Sequence, residues 1–400
     1  MNATWVRRPT GIPAYRPNLY STPAILDPYP HYARLREYGP VVWLTKQRVY
    51  ALPRYAECKA VLRDDKTFIS GDGVGLNPIV NRLSRGTTLT SDGDEHDQRR
   101  KLVAHRLLPR ALRAMSDDLQ RQADQIVAEA AARQHVDGIK DLARALPLAV
   151  VPDLVGWPDD GRKNLLRWGA ATSDALGPIN RFSVKALPAS LQMLRFSKQV
   201  VRRRSVMDGS MGHDILVAAD AGKLPLGECS ALMVDYLVPS LDTTISGIAN
   251  ALALLAMHPE QWKLLRAEPS LLQNAINEVL RYESPARAFT RKVAQRTEIA
   301  NVSVPAGARV LVLNASANRD EREWTDPETF DIRRHANRHL GFGHGAHNCA
   351  GQGLAHLEMA AMLSALINRV DRIELAGQPV WRLNNVIRCY ERLPLRLISA

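Results

Sequence analysis

The sequence predicts a mainly α-helical fold with a minor β component. Several long stretches carry apolar residues at helical spacing, whereas only a few short runs have the character of strands. The chain has 400 residues, and 46% of them are apolar, which is enough to bury a large core. Because no linker, repeat or low-complexity block interrupts the chain, we expect residues 1–400 to form a single domain.

The first twenty residues combine Arg7 and Arg8 with three prolines and contain no apolar run. A signal peptide or a membrane-spanning helix would need such a run. We therefore expect residues 1–20 to lie extended on the surface of a protein that does not use a membrane.

Strand signals are concentrated in two regions. Val41–Leu44 and Val49–Leu52 flank a short polar turn and predict a hairpin. Farther on, Pro305-Ala306-Gly307 predicts a turn before the apolar run Val310–Leu313. Small sheets are expected near the N-terminus and after residue 285.

Helical periodicity covers most of the remaining chain. It is clearest in Asp118–Arg133, Asp141–Leu154 and Cys229–Met257. A new helix is expected to begin at Pro259, because proline is tolerated in a first turn. The helix Gln273–Tyr282 should end before Ser284-Pro285.

Charge and cysteine usage narrow the class of protein. A net charge of +12 indicates a basic face suited to an acidic partner. Nucleic-acid binding is disfavoured, because the chain has no basic run with interleaved aromatic residues. The four cysteines are far apart and lack paired spacing, which disfavours disulfides or a zinc site and favours the cytoplasm. Three of them are interpreted as small buried apolar residues: Cys58, Cys229 and Cys389.

The fourth cysteine lies in a glycine-punctuated loop, Phe342–Gly351, which precedes a stretch of helical periodicity. Glycines permit tight turns, and the positive end of a following helix favours a thiolate. Cys349 could then be a buried small residue, a nucleophile or an axial ligand of haem iron. The complete pattern F-G-x-G-x-H-x-C-x-G strongly favours the ligand, and with it the chain resembles the cytochrome P450 family, a type of cysteine-ligated haem protein.

Several further motifs agree with this resemblance, which implies the triangular helical prism of that fold. Glu278 and Arg281 form an ExxR motif on one helix face. In the family this pair forms a buried structural network with a segment that lies later in the chain. The residues of this chain that correspond to that segment are Asn318–Asp320, Trp324, Asp326-Pro327, Phe330-Asp331 and Arg333.

The resemblance also assigns residues to the haem itself. Phe342 and Gly351 would pack beside it, and Cys349 would be the axial ligand of the iron. Four basic residues occupy the positions at which the family binds the haem propionates: His96, Arg100, Arg291 and His347.

Asp242 and Thr243 lie inside the long helix Cys229–Met257. The resemblance implies that Asp242 gates proton entry and that Thr243 holds a water above the haem, so that protonation promotes O–O cleavage. The small pair that usually precedes the acid is replaced by Pro239-Ser240. Because Pro239 cannot donate to the carbonyl of Asp235, we expect a kink there.

The nearest resemblance is to soluble bacterial members that oxidise para-substituted benzoates. It rests on stretches such as Gly73–Leu76 and Gly177–Asn180, and on Phe289, which matches a pocket residue. The expected substrate pocket also includes Leu89, Val238 and Pro239. Arg85, Thr87 and Thr88 are candidate anion contacts.

One residue departs from the benzoate pattern. Asp235 lies seven residues before Asp242, on the same helix face. A carboxylate there would repel a benzoate and could accept a hydrogen bond from a phenol or an amine.

The implied function is a haem-thiolate monooxygenase that acts on a small aromatic substrate by hydroxylation or oxidative O-demethylation. Haem b is the implied cofactor, with electrons from NAD(P)H through a ferredoxin reductase and a ferredoxin docked near Arg99, Arg100 and Lys101. Three alternatives stay open at this point: a peroxygenase, a P450 that tailors a larger secondary-metabolite scaffold, and a non-catalytic haem carrier or sensor.

Overall fold

The computed structural model describes residues 9–399. Helices dominate it, and most of the short strands lie in the first and last thirds of the chain. In chain order the helices are α1 (Thr22–Leu26), α2 (Tyr29–Tyr38), α3 (Tyr55–Arg63), α4 (Pro78–Leu83), α5 (Gly93–Ala104), α6 (Pro109–Arg133), α7 (Ala145–Val155), α8 (Asp159–Arg162), α9 (Leu165–Leu176), α10 (Arg181–Arg203), α11 (Met211–Asp220), α12 (Leu226–Met257), α13 (Pro259–Ala267), α14 (Leu272–Tyr282), α15 (Asn314–Ala317) and α16 (Gln352–Arg369).

The strands are short and form four small sheets. They are β1 (Ala14–Tyr15), β2 (Val42–Leu44), β3 (Val49–Leu52), β4 (Phe68–Ile69), β5 (His135–Asp137), β6 (Phe289–Val293), β7 (Thr297–Ile299), β8 (Val302–Val304), β9 (Arg309–Val312), β10 (Val370–Leu375), β11 (Val380–Trp381), β12 (Tyr390–Arg392) and β13 (Pro394–Ser399). The largest sheet has the order β1-β2-β3-β9-β6-β4, and a second has the order β10-β13-β5. Two hairpins, β7-β8 and β11-β12, make up the rest.

The mainly α fold with minor β that the sequence predicts is confirmed. The β2-β3 hairpin pairs Val42 with Ala51. Helices form in all three periodic stretches, at Pro259 and in Gln273–Tyr282, although Asp141 lies in a π-helical segment at 138–143 and α7 begins only after it. Helix α14 ends at Tyr282, three residues before Pro285, as expected.

The core is built around α12, whose 32 residues are apolar on nearly every face. This helix packs against α7, α9, α10, α11, α14 and α16. Among the described residues it is the one helix long and apolar enough to cross a membrane, and 78% of its apolar window is buried inside the protein. Its hydrophobicity therefore serves internal packing.

The expected surface segment at residues 1–20 lies partly outside the described residues. Within residues 9–20, β1 pairs in parallel with β2, so this part of the segment extends the large sheet. Ile12, Tyr15 and Leu19 are buried there.

Candidate active site

Almost every candidate site residue predicted from the sequence lines one internal cavity. The cavity lies between α12, the Cys349 loop, α5 and the start of β6. The selected residues that line it are Leu89, His96, Arg100, Asp235, Val238, Pro239, Asp242, Thr243, Phe289, Arg291, Phe342, His347, Cys349 and Gly351.

The Cys349 loop is held in its shape by backbone geometry. Gly343 and Gly345 have φ values of 73° and 75°, a region that favours glycine. A Cβ on Gly345 would lie only 2.4 Å from the carbonyl oxygen of Leu62. The amide of Cys349 donates to the carbonyl of Phe342 over 2.8 Å, which closes the loop just before α16.

Cys349 lines the cavity, and its side chain is accessible from that cavity. Burial raises the pKa of the Cys349 thiol, whereas the backbone N–H of Gly351 and the charge of Arg100 lower it. Burial also raises the pKa values of the other three cysteines, Cys58, Cys229 and Cys389, all of which are enclosed by protein. Cys349 is thus the cysteine placed to bind a ligand.

Four basic side chains form a cluster at one end of the cavity. The rings of His96 and His347 lie 4.2 Å apart. Arg291 is buried, and its Nη1 donates to the carbonyl of the adjacent Thr290 at 3.0 Å. Burial lowers the pKa of Arg291 to about 10, and burial with the neighbouring Arg291, His96 and Arg100 lowers the pKa of His347 to about 3. The cluster therefore favours binding of an anion.

These features fit a haem group. Nε2 of His96 is buried and has no hydrogen-bond partner within residues 9–399, and Arg291 has spare donors for a carboxylate. A Cβ on Gly351 would project to within 4.0 Å of both Cys349 Sγ and Ser240 Oγ, so a glycine leaves this part of the cavity open. Arg100 already binds the Cys349 loop through the carbonyl of Asn348, at 2.9 Å.

Opposite the loop, α12 runs continuously through Pro239. Thr243 Oγ1 donates to the Pro239 carbonyl at 2.6 Å, and Ser240 Oγ donates to the Tyr236 carbonyl, also at 2.6 Å. Both hydroxyls thus bond carbonyls one turn earlier on the proline-containing segment. The expected kink at Pro239 stays a prediction.

Asp242 is buried and held by two partners that the sequence did not indicate. Arg382, just after β11, donates Nη1 to Oδ1 of Asp242 at 3.3 Å. Ser173 Oγ donates to Oδ2 of Asp242 at 3.4 Å. Asp174 lies beside this group, and burial raises its pKa to about 6. The site therefore contains two carboxylates near one arginine.

Asp235 occupies the other end of the cavity wall formed by α12. Its Oδ2 accepts a hydrogen bond from the amide of Leu89 at 3.2 Å, and Thr88 adds backbone and hydroxyl donors. Burial raises the pKa of Asp235 to about 6 despite these donors. The neighbouring Tyr236 hydroxyl lies 3.2 Å from Thr88 Oγ1.

Glu278 and Arg281 lie outside the cavity and form a fully buried pair. Arg281 donates Nε and Nη2 to the two carboxylate oxygens at 2.7 and 2.8 Å. Its Nη1 donates to the carbonyls of Asn318 and Pro327. The side chain of Asn318 accepts from the amide of Leu340 at 2.7 Å, so the network extends to the start of the Cys349 loop.

The structure corrects three expectations. Arg334, not Arg333, contacts Glu278, at 3.2 Å, whereas Arg333 pairs with Glu268 on the surface. Arg99 is buried and bound to Glu95 and Glu228, so it cannot form part of a docking surface. Among the candidate anion contacts, Arg85 is exposed and pairs with Asp72, and Thr87 bonds Thr90, whereas Thr88 does line the cavity.

Known proteins resemble this chain over nearly its whole length. A family model described as Cytochrome P450 matches residues 191–381. Cytochrome p450 CYP199A2 of Rhodopseudomonas palustris is 38% identical over 98% of this chain and 96% of its own length. The 6-deoxyerythronolide B hydroxylase of Saccharopolyspora erythraea is 32% identical over 95% of this chain and 98% of its own. Among solved structures, epothilone D-bound cytochrome P450epoK has a TM-score of 0.85 and 28% identity, covering 96% of this chain and all of that one.

Proposed function

Because the chain belongs to the cytochrome P450 family, it is a haem monooxygenase, and we propose that it inserts one oxygen atom of O2 into a small aromatic substrate. The reaction would be a hydroxylation or an oxidative O-demethylation. The observation that carries this proposal is that Cys349, Thr243 and Asp242 all line a single, largely apolar cavity. The family also implies an organic substrate and a redox partner.

The cavity has a partner for each part of a haem b group. When bound, haem supplies the iron at which dioxygen is activated. Cys349 would bind that iron through its thiolate, with the Gly351 amide stabilising the negative charge. Two carboxylates of a haem would neutralise the basic cluster His96, Arg100, Arg291 and His347 described above.

The opposite wall would deliver protons. The Thr243 hydroxyl, oriented by the Pro239 carbonyl, is placed to hold a water in the cavity. Asp242 stands one residue earlier, bound to Arg382 and Ser173, and would pass protons inward when its side chain rotates away from Arg382.

The proposal of a small substrate is supported by hydrogen bonds that join the segments around the cavity to one another. The amide of Leu76 donates to the Leu176 carbonyl at 2.8 Å, which joins the segment before α4 to the end of α9. Asn385 binds Asp174 near the same end of α9 and Asn180 just before α10. Between these segments the lining is apolar, with Phe289, Ala286, Val386 and Ile387 available to pack against a ring.

A ferredoxin is the proposed electron donor, reduced by NAD(P)H through a ferredoxin reductase, in the cytoplasm. The support is the chain's charge of +12 and the basic residues near the Cys349 loop. The charges of Lys59 and Arg63, together with burial, lower the pKa of His344 in that loop. Arg99 is excluded because it is buried. The proposed docking residues are therefore Lys59, Arg63 and the exposed Lys101.

A binding panel and a reconstituted reaction test the proposal. The ferric protein is titrated with small methoxy-substituted aromatics and with bulky aliphatic ligands, and the spectral change on loss of iron-bound water is recorded. We expect the aromatics to bind, and one of them to release formaldehyde when ferredoxin, its reductase and NAD(P)H are added. Binding of bulky aliphatic ligands alone would contradict the small-aromatic proposal.

A larger scaffold is the second candidate. It is favoured by the 32% identity to a protein named as a 6-deoxyerythronolide B hydroxylase. A spectral change with a macrolactone but not with small aromatics would support it. A peroxide-driven reaction that proceeds without ferredoxin would instead indicate a peroxygenase.

A further inference from the structure

We propose that Asp235 makes this enzyme selective for aromatic substrates that present an N–H or O–H hydrogen-bond donor, and that it disfavours aromatic carboxylates. This inference rests on the proposed function of the cavity as the substrate site. It assigns Asp235 as the residue that recognises the polar end of the substrate.

The position of Asp235 is the first support. It precedes Asp242 by seven residues, about two helical turns, so both project from the same face of α12. Both line the cavity. A ring held between Val238 and Phe289 could thus have one end near the Cys349 side and its polar end near Asp235.

The carboxylate of Asp235 is held in place. The Leu89 amide donates to Oδ2 at 3.2 Å, and the amide and hydroxyl of Thr88 are further donors to the side chain. A carboxylate has about four acceptor sites, so acceptor capacity remains for a ligand. Such preorganisation reduces the entropy lost when a substrate binds.

The local charge favours a donor over an anion. Arg99 lowers the pKa of Asp235, but it does not line the cavity. Its guanidinium is bound by Glu228 at 2.6 Å and by Glu95 at 2.5 Å. Two carboxylates therefore already compensate this arginine. The basic residues that do line the cavity lie in the cluster near the Cys349 loop.

Pro239 also alters the helix backbone at Asp235. Because Pro239 has no N–H, the backbone carbonyl of Asp235 lacks its normal helical partner. The Asp235 carboxylate can accept two hydrogen bonds from one group, which suits a group with two donors such as an amide or an amidinium. A substrate carboxylate would instead lie beside the negative charge of Asp235.

Three planar ligands of matched size test this inference by calorimetry on the haem-loaded protein at pH 7.5. They are 4-methoxybenzamidine, 4-methoxybenzamide and 4-methoxybenzoate. Hydrogen bonds to a charged group contribute roughly 1.5–3 kcal/mol, so we expect the amidine to bind about 10- to 100-fold more tightly than the benzoate. In Asp235→Asn that ratio should fall at least tenfold, on the order of 1.4 kcal/mol. The amide should lie between the two ligands in the unmodified protein.

Val238→Ala is the matched control, because Val238 lines the same cavity without a charge. It should change all three affinities together and leave the ratio unaltered. Retained haem content in Asp235→Asn would show that the variant is folded. A preference for the benzoate, or a ratio that Asp235→Asn leaves unchanged, overturns this inference while keeping the small-aromatic function. Failure of all three ligands to bind while a macrolactone binds overturns both.

Discussion

Thr243 donates its hydroxyl hydrogen to the carbonyl oxygen of Pro239, 2.6 Å away across one turn of α12. This bond fixes the direction of the hydroxyl in the cavity wall. Pro239 itself cannot donate to the carbonyl of Asp235. The hydroxyls of Thr243 and Ser240 add side-chain hydrogen bonds to the carbonyls of Pro239 and Tyr236 in the same segment.

Thr243→Val keeps the branched shape but removes the hydroxyl. We expect the product formed per NAD(P)H consumed to fall on the order of tenfold, because proton delivery loses its oriented group. Thr243→Ser should retain most of the coupling. The measurement compares product with cofactor oxidation in the reconstituted system. Equal coupling in Thr243→Val and the unmodified enzyme would contradict this role.

Asp242→Asn removes the ionisable group between Arg382 and Ser173 with little change of shape. General acid–base groups contribute about 10²–10⁴-fold, so turnover should fall by about 100-fold and the solvent deuterium isotope effect should rise. Substrate affinity should stay unchanged. Asp159→Asn, at a side chain that is 96% exposed, is the control. An unaltered isotope effect would count against proton delivery through Asp242.

Arg281→Met leaves the Glu278 carboxylate without its bidentate partner. Removing one partner of a buried ion pair costs about 3–5 kcal/mol, and we expect a loss of this size together with a lower haem content. Arg333→Met breaks the half-exposed pair with Glu268 and should cost less than about 1 kcal/mol. Denaturant unfolding measures both. Similar losses in the two variants would contradict the structural role of the buried pair.

Glu358 is fully buried in α16, and neither carboxylate oxygen has a hydrogen-bond partner within the described part of the chain. Burial raises its pKa from 4.5 to about 8. Between those pH values the folded protein keeps a proton that the unfolded chain releases, so stability falls as pH rises through this window.

Glu358→Gln removes that titration. The unmodified protein should lose about 3 kcal/mol more stability than the variant between pH 5 and 7.5. Chemical unfolding at the two pH values measures the difference, and Glu298→Gln on exposed β7 is the control. Parallel pH dependence in Glu358→Gln and the unmodified protein would show that Glu358 does not carry a shifted pKa.

The sequence predicted the residues of the cavity because they occur in local motifs. The loop Phe342–Gly351, the pair Asp242-Thr243 and the HxxxR spacing of His96 and Arg100 each place their groups by short-range geometry. The fold class followed from the helical periodicity of several long stretches.

Partners that come from distant parts of the chain could not be predicted in this way. Arg382 reaches Asp242 across 140 residues, and nothing in the periodicity of either segment indicates that contact. Arg99 was predicted to be a surface charge beside Arg100. Neighbouring positions of a helix face different directions, however, and Arg99 of α5 points toward Glu228. Arg333 and Arg334 are neighbours whose side chains also point in different directions, so that Arg334 contacts Glu278 whereas Arg333 contacts Glu268.

The central claim is that Cys349 provides the thiolate ligand of haem iron. The reduced carbon monoxide spectrum of the haem-loaded protein tests it most directly, with Cys349→Ala compared against Cys58→Ala, a buried cysteine outside the cavity. We predict the long-wavelength thiolate band in the unmodified protein and in Cys58→Ala, and its loss in Cys349→Ala. Persistence of that band in Cys349→Ala would contradict the assignment.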